Sequence, residues 1–221
     1  MRSSVSIEYG GKHFLVDCSI DFRQQMLNWP MPRIDAVLVT HTHSDHINGI
    51  DDLRAFNYYQ RETIPVYSSR MFLDDIKTRF NYCFRPFQKG GGVPSIDLCE
   101  VQAGSSFEAA GVEIMPIGIE HGKLSILGFR MGGFAYLTDC SGIPEESRAL
   151  LEGVEVIIIS GLRHTPHPTH FTINQSLEVA GEIGVREAWF THIADELDHE
   201  TTNSTLPEWA QLAHDGLLLE V

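Results

Sequence analysis

Three histidines and an aspartate lie within six consecutive positions, directly after an apolar run. The segment His41-Thr42-His43-Ser44-Asp45-His46 follows the run at 34–40. Imidazole nitrogens and carboxylate oxygens are the ligands that borderline divalent metals prefer. Because alternate side chains of a strand project to the same side, we expect His41 and His43 to face one way, whereas Asp45 and His46 aim elsewhere after the strand ends. One segment can therefore serve two metal ions.

Three more candidate ligands lie where apolar runs end. His121 follows the alternating run at 112–120, Asp139 follows 134–138, and His192 follows 187–191. Binding sites of α/β proteins are commonly built where buried strands meet loops. Two metal ions need roughly six or seven protein ligands, ideally with one bridging carboxylate. Taken singly, His121 and Asp139 are equally well explained as turn or capping residues. For the first segment the alternative is a histidine-rich loop with no metal or with a single structural ion.

Composition limits the class of protein. The chain has 221 residues and is 43% hydrophobic, enough to bury a sizeable core, and we predict a single domain over residues 1–221. It has no apolar run long enough for a membrane helix, residues 1–6 lack the apolar core expected of a signal peptide, and its four cysteines are scattered. We therefore expect a cytoplasmic protein with reduced cysteines and no membrane partner. The net charge of −14 argues against a long nucleic acid, although bound metals would still attract a small anion.

The hydrophobic pattern predicts an α/β fold with two packed mixed β-sheets flanked by helices. Gly10-Gly11 and Gly132-Gly133 are predicted hairpin turns. The predicted helices are 20–28, 51–58, 69–82, 144–151, 173–183 and 203–213. The predicted strands are 5–9, 13–17, 35–40, 64–67, 98–101, 112–118, 125–131, 133–138, 155–160, 187–191 and 217–221.

The apolar strand followed by His-x-His-x-Asp-His resembles the central motif of the metallo-β-lactamase superfamily of dinuclear metallohydrolases. The resemblance implies an αββα sandwich and two divalent metal ions, zinc or manganese. It also places Asp45 among the catalytic residues as well as the ligands. Carried over residue by residue, it assigns His41, His43 and His121 to one metal, Asp45, His46 and His192 to the other, and Asp139 to a bridging position.

A narrower resemblance is carried by residues 17–25, 49–54 and 164–170. These segments are similar to the phosphodiesterase branch typified by the phosphonate-pathway cyclic phosphate phosphodiesterase, whose best-known member opens a cyclic ribosyl phosphate. In that family a histidine upstream of the last metal ligand acts as general acid. Here His170 precedes His192 by 22 positions.

Chemistry supports His170 apart from the resemblance. A departing alkoxide needs a proton, and imidazole can deliver one near neutral pH. His170 also lies just before the helix predicted at 173–183, whose amino terminus favours an anionic phosphate. The alternative is an exposed polar loop interrupted by prolines, which we favour for His164 and His167. For Arg54 we favour a salt bridge at a helix start over a phosphate contact.

Two departures from the family pattern lead to further expectations. Some members hold a structural zinc with three cysteines and a histidine shortly after the last catalytic ligand, but here the third position after His192 is Asp195. We therefore expect no separate structural zinc. Members also usually begin with an earlier glycine-rich strand that this sequence lacks. The missing strand would expose a sheet edge, so either a partner such as a second copy of the chain covers the edge, charge blunts it, or the start is not the natural one.

The expected function is hydrolysis of a small phosphodiester, with a cyclic one as the family's best-known case. A hydroxide that bridges the two metals attacks phosphorus, and His170 protonates the leaving oxygen. A ribonuclease Z-like enzyme is an alternative, although the sequence shows no basic arm for RNA. The other two alternatives are a thioesterase with the same metals and a metal-binding protein without catalytic activity. For Asp17 and Asp21 we favour buried hydrogen bonding near the site over direct catalysis, and a hydrogen bond to a metal-bound histidine would be useful there.

Overall fold

The computed structural model describes residues 1–85 and 92–221. The chain divides into two compact units, residues 1–102 with 107–113 and residues 103–106 with 114–221. Within the described ranges, every helix is too short or too polar to cross a bilayer. The single-domain assignment stays a prediction.

The first unit is built on a five-stranded mixed sheet, with its strands in sequence order. They are Val5–Tyr9, Lys12–Val16, Ala36–Leu38, Ile64–Ser68 and Ile96–Glu100 (β1 to β5). Strands β1 and β2 form an antiparallel hairpin, and β2 to β5 run parallel. Gly10 and Gly11 make the predicted hairpin turn with φ values of 58° and 73°, in the left-handed region that favours glycine.

Helices connect the parallel strands of this sheet, because a parallel pair needs a crossover. They are Phe22–Asn28, Ser44–Ile47, Leu53–Gln60 and Arg70–Arg79 (α1 to α4). Apolar side chains of sheet and helices, such as Val37, Ile47 and Leu53, are fully buried in one cluster. The buried cluster anchors β3 and α2, which flank the histidine-rich segment.

The second sheet has seven strands, of which β8 to β12 and most of β7 belong to the second unit. The strands are Phe107–Ala109, Val112–His121, Leu124–Met131, Phe134–Leu137, Val156–Ser160, Glu187–Thr191 and Ala210–Leu212 (β6 to β12). Their spatial order is β12-β11-β10-β9-β8-β7-β6. The helices of this unit are Glu145–Ala149, Ile173–Ile183 and His199–Thr205 (α5 to α7).

The direction of these strands brings three predicted ligands to one edge. Strands β7, β8 and β9 are antiparallel in succession, and β9 to β12 run parallel. Strands β7, β9 and β11 therefore end on the same side of the sheet. His121 ends β7, Asp139 follows β9 and His192 follows β11.

The prediction of two mixed sheets flanked by helices is confirmed, but the carboxyl-terminal elements were predicted wrongly. The helix expected at 203–213 is α7 at His199–Thr205, because Asp198 caps it by accepting from Thr201 N at 2.8 Å. Residues 210–212 instead form β12, paired in parallel with β11. The strand expected at 217–221 is outside regular secondary structure, and β6 and the short α2 were not predicted.

Candidate metal centre

The histidine-rich segment follows β3 and enters α2. His43 precedes the helix, and α2 carries Asp45 and His46. His41 and His46 are fully buried, whereas His43 is exposed. The His41 ring centroid lies 4.6 Å from that of His43 and 4.2 Å from that of His46. Asp45 Oδ2 lies 3.5 Å from His46 Nε2, so the first unit gathers all four predicted ligands of this segment.

Asp17 fixes the orientation of His46. Its fully buried carboxylate accepts hydrogen bonds from Thr40 N and Thr40 Oγ1, both at 2.8 Å, and from His46 Nδ1 at 2.7 Å. Burial raises the pKa of Asp17, and the interactions with His46 and Thr40 oppose the shift. An ionised carboxylate only accepts, so Nδ1 of His46 carries the hydrogen and Nε2 keeps the lone pair that a metal needs.

The same carboxylate orients His41 through Thr40. The Thr40 hydroxyl has one hydrogen and donates it to Asp17. Its oxygen lies 3.0 Å from His41 Nδ1 and therefore accepts from that nitrogen. The lone pair of His41 is consequently on Nε2, which lies 3.0 Å from His43 Nδ1.

His121 is oriented by backbone carbonyls in the second unit. Its Nδ1 lies 2.9 Å from the carbonyl oxygens of both Asp139 and Thr169. Carbonyls only accept, so Nδ1 donates and the lone pair is on Nε2. Gly122 follows with a φ of 62°, and a Cβ there would lie 2.7 Å from Thr169 Cγ2. Glycine thus permits the loop of Thr169 to approach the end of β7.

Asp139 and His192 both adopt the left-handed conformation, each with a φ of 55°. Asp139 Oδ1 accepts from Thr138 Oγ1 at 2.7 Å and lies 3.4 Å from His192 Nε2. The left-handed residue turns the chain sharply just after each strand. Its side chain is thereby kept at the edge of the sheet.

His170 lies beside the candidate ligands of the second unit. Its ring centroid is 4.8 Å from that of His121 and 5.0 Å from those of His167 and His192, and it stacks on His192 at an interplanar angle of 17°. The possible ligand atoms of Asp139, His170 and His192 all lie within 4.8 Å of one another. Among the described residues, none hydrogen-bonds the buried Nδ1 of His170.

The environment of His170 disfavours its charged form. Burial lowers the pKa of His170 to about 4, Asp139 opposes the shift, and the neighbouring histidines reinforce it. In this environment the imidazole is neutral at pH 7. It is a polar group in the site that carries no charge of its own.

The structure also shows the surroundings of the other residues singled out in the sequence. Arg54 pairs with Asp51 at 3.0 Å, as favoured from the sequence. His164 is exposed, and His167 accepts from Thr169 N at 3.3 Å through Nδ1. Asp21, in the segment 17–25 of the resemblance, accepts instead from Arg2 N at 2.6 Å.

The amino terminus of α6 offers fewer donors to a phosphate than expected. Thr172 and Gln175 form a reciprocal capping box, which satisfies the backbone N–H of each. The N–H of Ile173 donates to Arg163 O at 3.1 Å. An anion near this terminus would therefore interact mainly with the helix dipole.

The donor sets of both units fit divalent metal ions. Each unit has imidazole and carboxylate donors, and hydrogen bonds leave the lone pairs of His41, His46 and His121 on Nε2. Imidazoles held in one tautomer by a second hydrogen bond are typical of metal ligands. The sequence did not reveal the roles of Thr169 and Arg163, because backbone carbonyls and tertiary contacts define them.

Comparison with known proteins identifies the family. The family model described as the beta-lactamase superfamily domain matches residues 12–193. A crystal structure described as a new diphosphatase from the PhnP family superposes with a TM-score of 0.90 and 37% identity, over 98% of this chain and 82% of that chain. The chain therefore belongs to the metallo-β-lactamase superfamily and, within it, to the PhnP family.

Two curated relatives differ in the activity that they are named for. An octanoyltransferase of Porphyromonas gingivalis is 38% identical over 219 residues, which are 97% of this chain and 44% of that protein. The chain thus spans less than half the length of this relative. A ribonuclease Z of Borreliella afzelii is 42% identical over 52 residues, 22% of this chain and 16% of that protein.

Proposed function

We propose that the chain is a metal-dependent hydrolase of small phosphodiesters. The observation that carries the proposal is the set of imidazole and carboxylate donors in each unit, with the tautomers of three histidines set for metal binding. The substrate class is supported by the diphosphatase of the PhnP family. Diphosphates and phosphodiesters both place an oxygen leaving group on an anionic phosphorus centre, so one site can serve both.

The proposed ligand set is the one implied by the sequence motif. The residues that would hold the two ions are His41, His43, Asp45 and His46 of the first unit and His121, Asp139 and His192 of the second. Zinc suits the imidazole-rich set, and manganese suits the carboxylates. When bound, two divalent ions polarise phosphoryl oxygens and make water nucleophilic at neutral pH.

The side chains have distinct tasks in this proposal. Asp17 and Thr40 hold His46 and His41 in the tautomers that bind metal. His170 donates a proton to the leaving oxygen. An anionic substrate beside the ring raises the pKa of His170, because negative charge stabilises imidazolium. The close packing of His170 on His192 keeps the proton donor next to a ligand.

A small substrate is favoured over a long nucleic acid. The net charge of −14 repels a polyanion, whereas two metal ions attract a small phosphate locally. The family match over residues 12–193 covers parts of both units, which supports one functional domain. A second copy of the chain remains a candidate partner.

The octanoyltransferase relative raises acyl chemistry as a second candidate. Transfer through a cysteine of this chain would need a thiolate. Burial raises the pKa of all four thiols, to about 11 for Cys83 and about 12 for Cys140. The raised pKa values of the cysteines thus argue against acyl transfer through a cysteine of this chain. Metal-assisted hydrolysis of a thioester is tested directly in the substrate panel below.

The test is a substrate panel with metal-reconstituted protein. The panel contains bis(p-nitrophenyl) phosphate, a cyclic nucleotide, a dinucleoside diphosphate, a phosphomonoester and an octanoyl thioester. We expect hydrolysis of the diesters or the diphosphate, lost in Asp139→Ala and kept in the control Asp195→Ala, which removes an exposed carboxylate. Turnover of the thioester alone, or stoichiometric metal binding without turnover, would contradict the proposal.

A further inference from the structure

The loop that carries His170 is closed at its base by backbone hydrogen bonds. Leu162 N donates to Phe171 O at 3.0 Å, and Ile173 N donates to Arg163 O at 3.1 Å. Phe171 N also donates to Cys140 O at 2.6 Å. The ends of the loop are therefore fixed between β10 and α6.

The Arg163 side chain holds the first part of the same loop, whereas Thr169, next to His170, is held by the His121 ring. Pro166 and Pro168 have no N–H, so the loop cannot form a regular backbone ladder. The Arg163 guanidinium supplies donors instead: Nε donates to Thr165 O at 3.2 Å and Nη2 to Pro166 O at 3.1 Å. A planar guanidinium with several donors can satisfy both carbonyls at once.

Arg163 also connects this loop to the segment after His192. Its Nε lies 3.7 Å from Glu196 Oε1, and Ala194 N donates to Leu162 O at 2.8 Å. The two segments that Arg163 joins carry the stacked rings of His170 and His192.

We propose that Arg163, supported by Glu196, is a positioning residue for His170. The proposal rests on the function proposed above, in which His170 is the proton donor. Without the guanidinium the carbonyls of Thr165 and Pro166 turn to water, and the part of the loop between Arg163 and Thr169 relaxes, which shifts His170 although Thr169 O still accepts from His121. The His170 ring then leaves the position in which it reaches the leaving oxygen.

Leaving-group dependence separates positioning from a general loss of structure. p-Nitrophenolate departs without much protonation, whereas an alkoxide needs a proton donor. We expect Arg163→Met to slow hydrolysis of an alkyl diester by about tenfold to a hundredfold, as for a misplaced catalytic group. In the same variant, hydrolysis of bis(p-nitrophenyl) phosphate should change by a factor of about three or less. When Arg163→Met is combined with His170→Ala, hydrolysis of the alkyl diester should be no slower than in His170→Ala alone.

Arg130→Met is the matched control. Arg130 also donates to two carbonyl oxygens, those of Gly132 and Leu150, but it lies at the β8–β9 turn. It should leave the leaving-group dependence at the wild-type value. Equal losses on both substrates in Arg163→Met, or a further loss in the His170→Ala background, would overturn the proposal. If Arg163→Met does not fold, Glu196→Gln and Arg163→Lys test the same contacts, with smaller expected effects on the alkyl diester.

A readout without turnover separates this inference from the proposed function. The histidine ring signals of the metal-loaded protein are recorded by NMR, and that of His170 is assigned by its loss in His170→Ala. We expect Arg163→Met to shift the His170 signal and Arg130→Met to leave it in place. An unchanged His170 signal in Arg163→Met would refute positioning whatever the substrate. If wild-type protein cleaves no phosphodiester, the function fails while the signal still tests the role of Arg163.

Discussion

Replacing Asp17 by asparagine should weaken metal binding at the histidine-rich segment. The carboxylate uses Oδ1 for Thr40 N, and Oδ2 for Thr40 Oγ1 and His46 Nδ1. Asparagine keeps the shape and tolerates the φ of 61° at this position. However, it offers only one acceptor oxygen, so the full set of three hydrogen bonds cannot form.

Either orientation of the amide has a cost. With nitrogen at the Oδ2 position, His46 and His41 must shift their hydrogens to Nε2, and the lone pairs intended for metal are lost. With nitrogen at the Oδ1 position, the buried N–H of Thr40 has no acceptor, at a cost of about 1–3 kcal/mol. Both orientations remove the negative charge that polarises the imidazoles. Altered partners of metal-bound histidines typically weaken binding by about tenfold to a hundredfold, or about 1.4–2.7 kcal/mol.

Calorimetric zinc titration of the metal-free protein measures this loss. Asp35→Asn is the matched control, because the Asp35 side chain is also buried but binds Arg33 and His13 N. The unfolding free energy of metal-free Asp17→Asn should change less than its metal affinity, because burial already disfavours the charge of Asp17. Wild-type zinc affinity in Asp17→Asn would refute the assignment of both tautomers.

Three further predictions concern stability and thiol reactivity. Gly122→Ala should lower the unfolding free energy by about 2–4 kcal/mol, because it combines a φ of 62° with a methyl clash. Gly184 has a φ of 79°, but a Cβ there would meet no atom within 4 Å, so Gly184→Ala should lower the unfolding free energy by only about 1–2 kcal/mol. Equal losses of unfolding free energy for Gly122→Ala and Gly184→Ala in denaturant titrations would contradict the clash at Gly122. The pKa of Cys83 is raised to about 11, so its rate of reaction with iodoacetamide should rise about tenfold for each pH unit between pH 7 and 10. The thiol of Cys18 is buried and should react only when the protein unfolds. A rate for Cys83 that does not change with pH would contradict the raised pKa. Thr172→Ala should cost about 1 kcal/mol in thermal unfolding through loss of the capping box, and an unchanged melting temperature would exclude that role.

Local chemistry made part of the structure predictable. Helix α6 has the bounds predicted for it, 173–183, because Thr172 and Gln175 cap its start and Gly184 ends it. The sequence indicated the candidate ligands because polar residues directly follow apolar runs there. Both signals depend only on neighbours in sequence.

Long-range pairing determined what the sequence could not show. The register of Val16 with Leu38 places Asp17 beside Thr40, and only this register lets one carboxylate orient two histidines. Similarly, β12 forms because Ala210 pairs with Ala188 of β11, a contact that overrides the helical pattern expected at 203–213. Such pairings depend on residues about twenty positions or more apart, beyond the reach of periodicity.

Backbone strain is concentrated at the candidate ligands and their supports. Among the described residues, five other than glycine have a positive φ, and three of them are Asp17, Asp139 and His192. Each lies one or two positions after the end of a strand. Glycine would fit this backbone with less strain, and a left-handed L-residue costs roughly 1–2 kcal/mol. The chain instead has carboxylates and an imidazole there, so these side chains serve a purpose that offsets the strain. Metal binding is sufficient to offset this strain, because a metal that binds only the folded chain stabilises the conformation that the backbone alone disfavours.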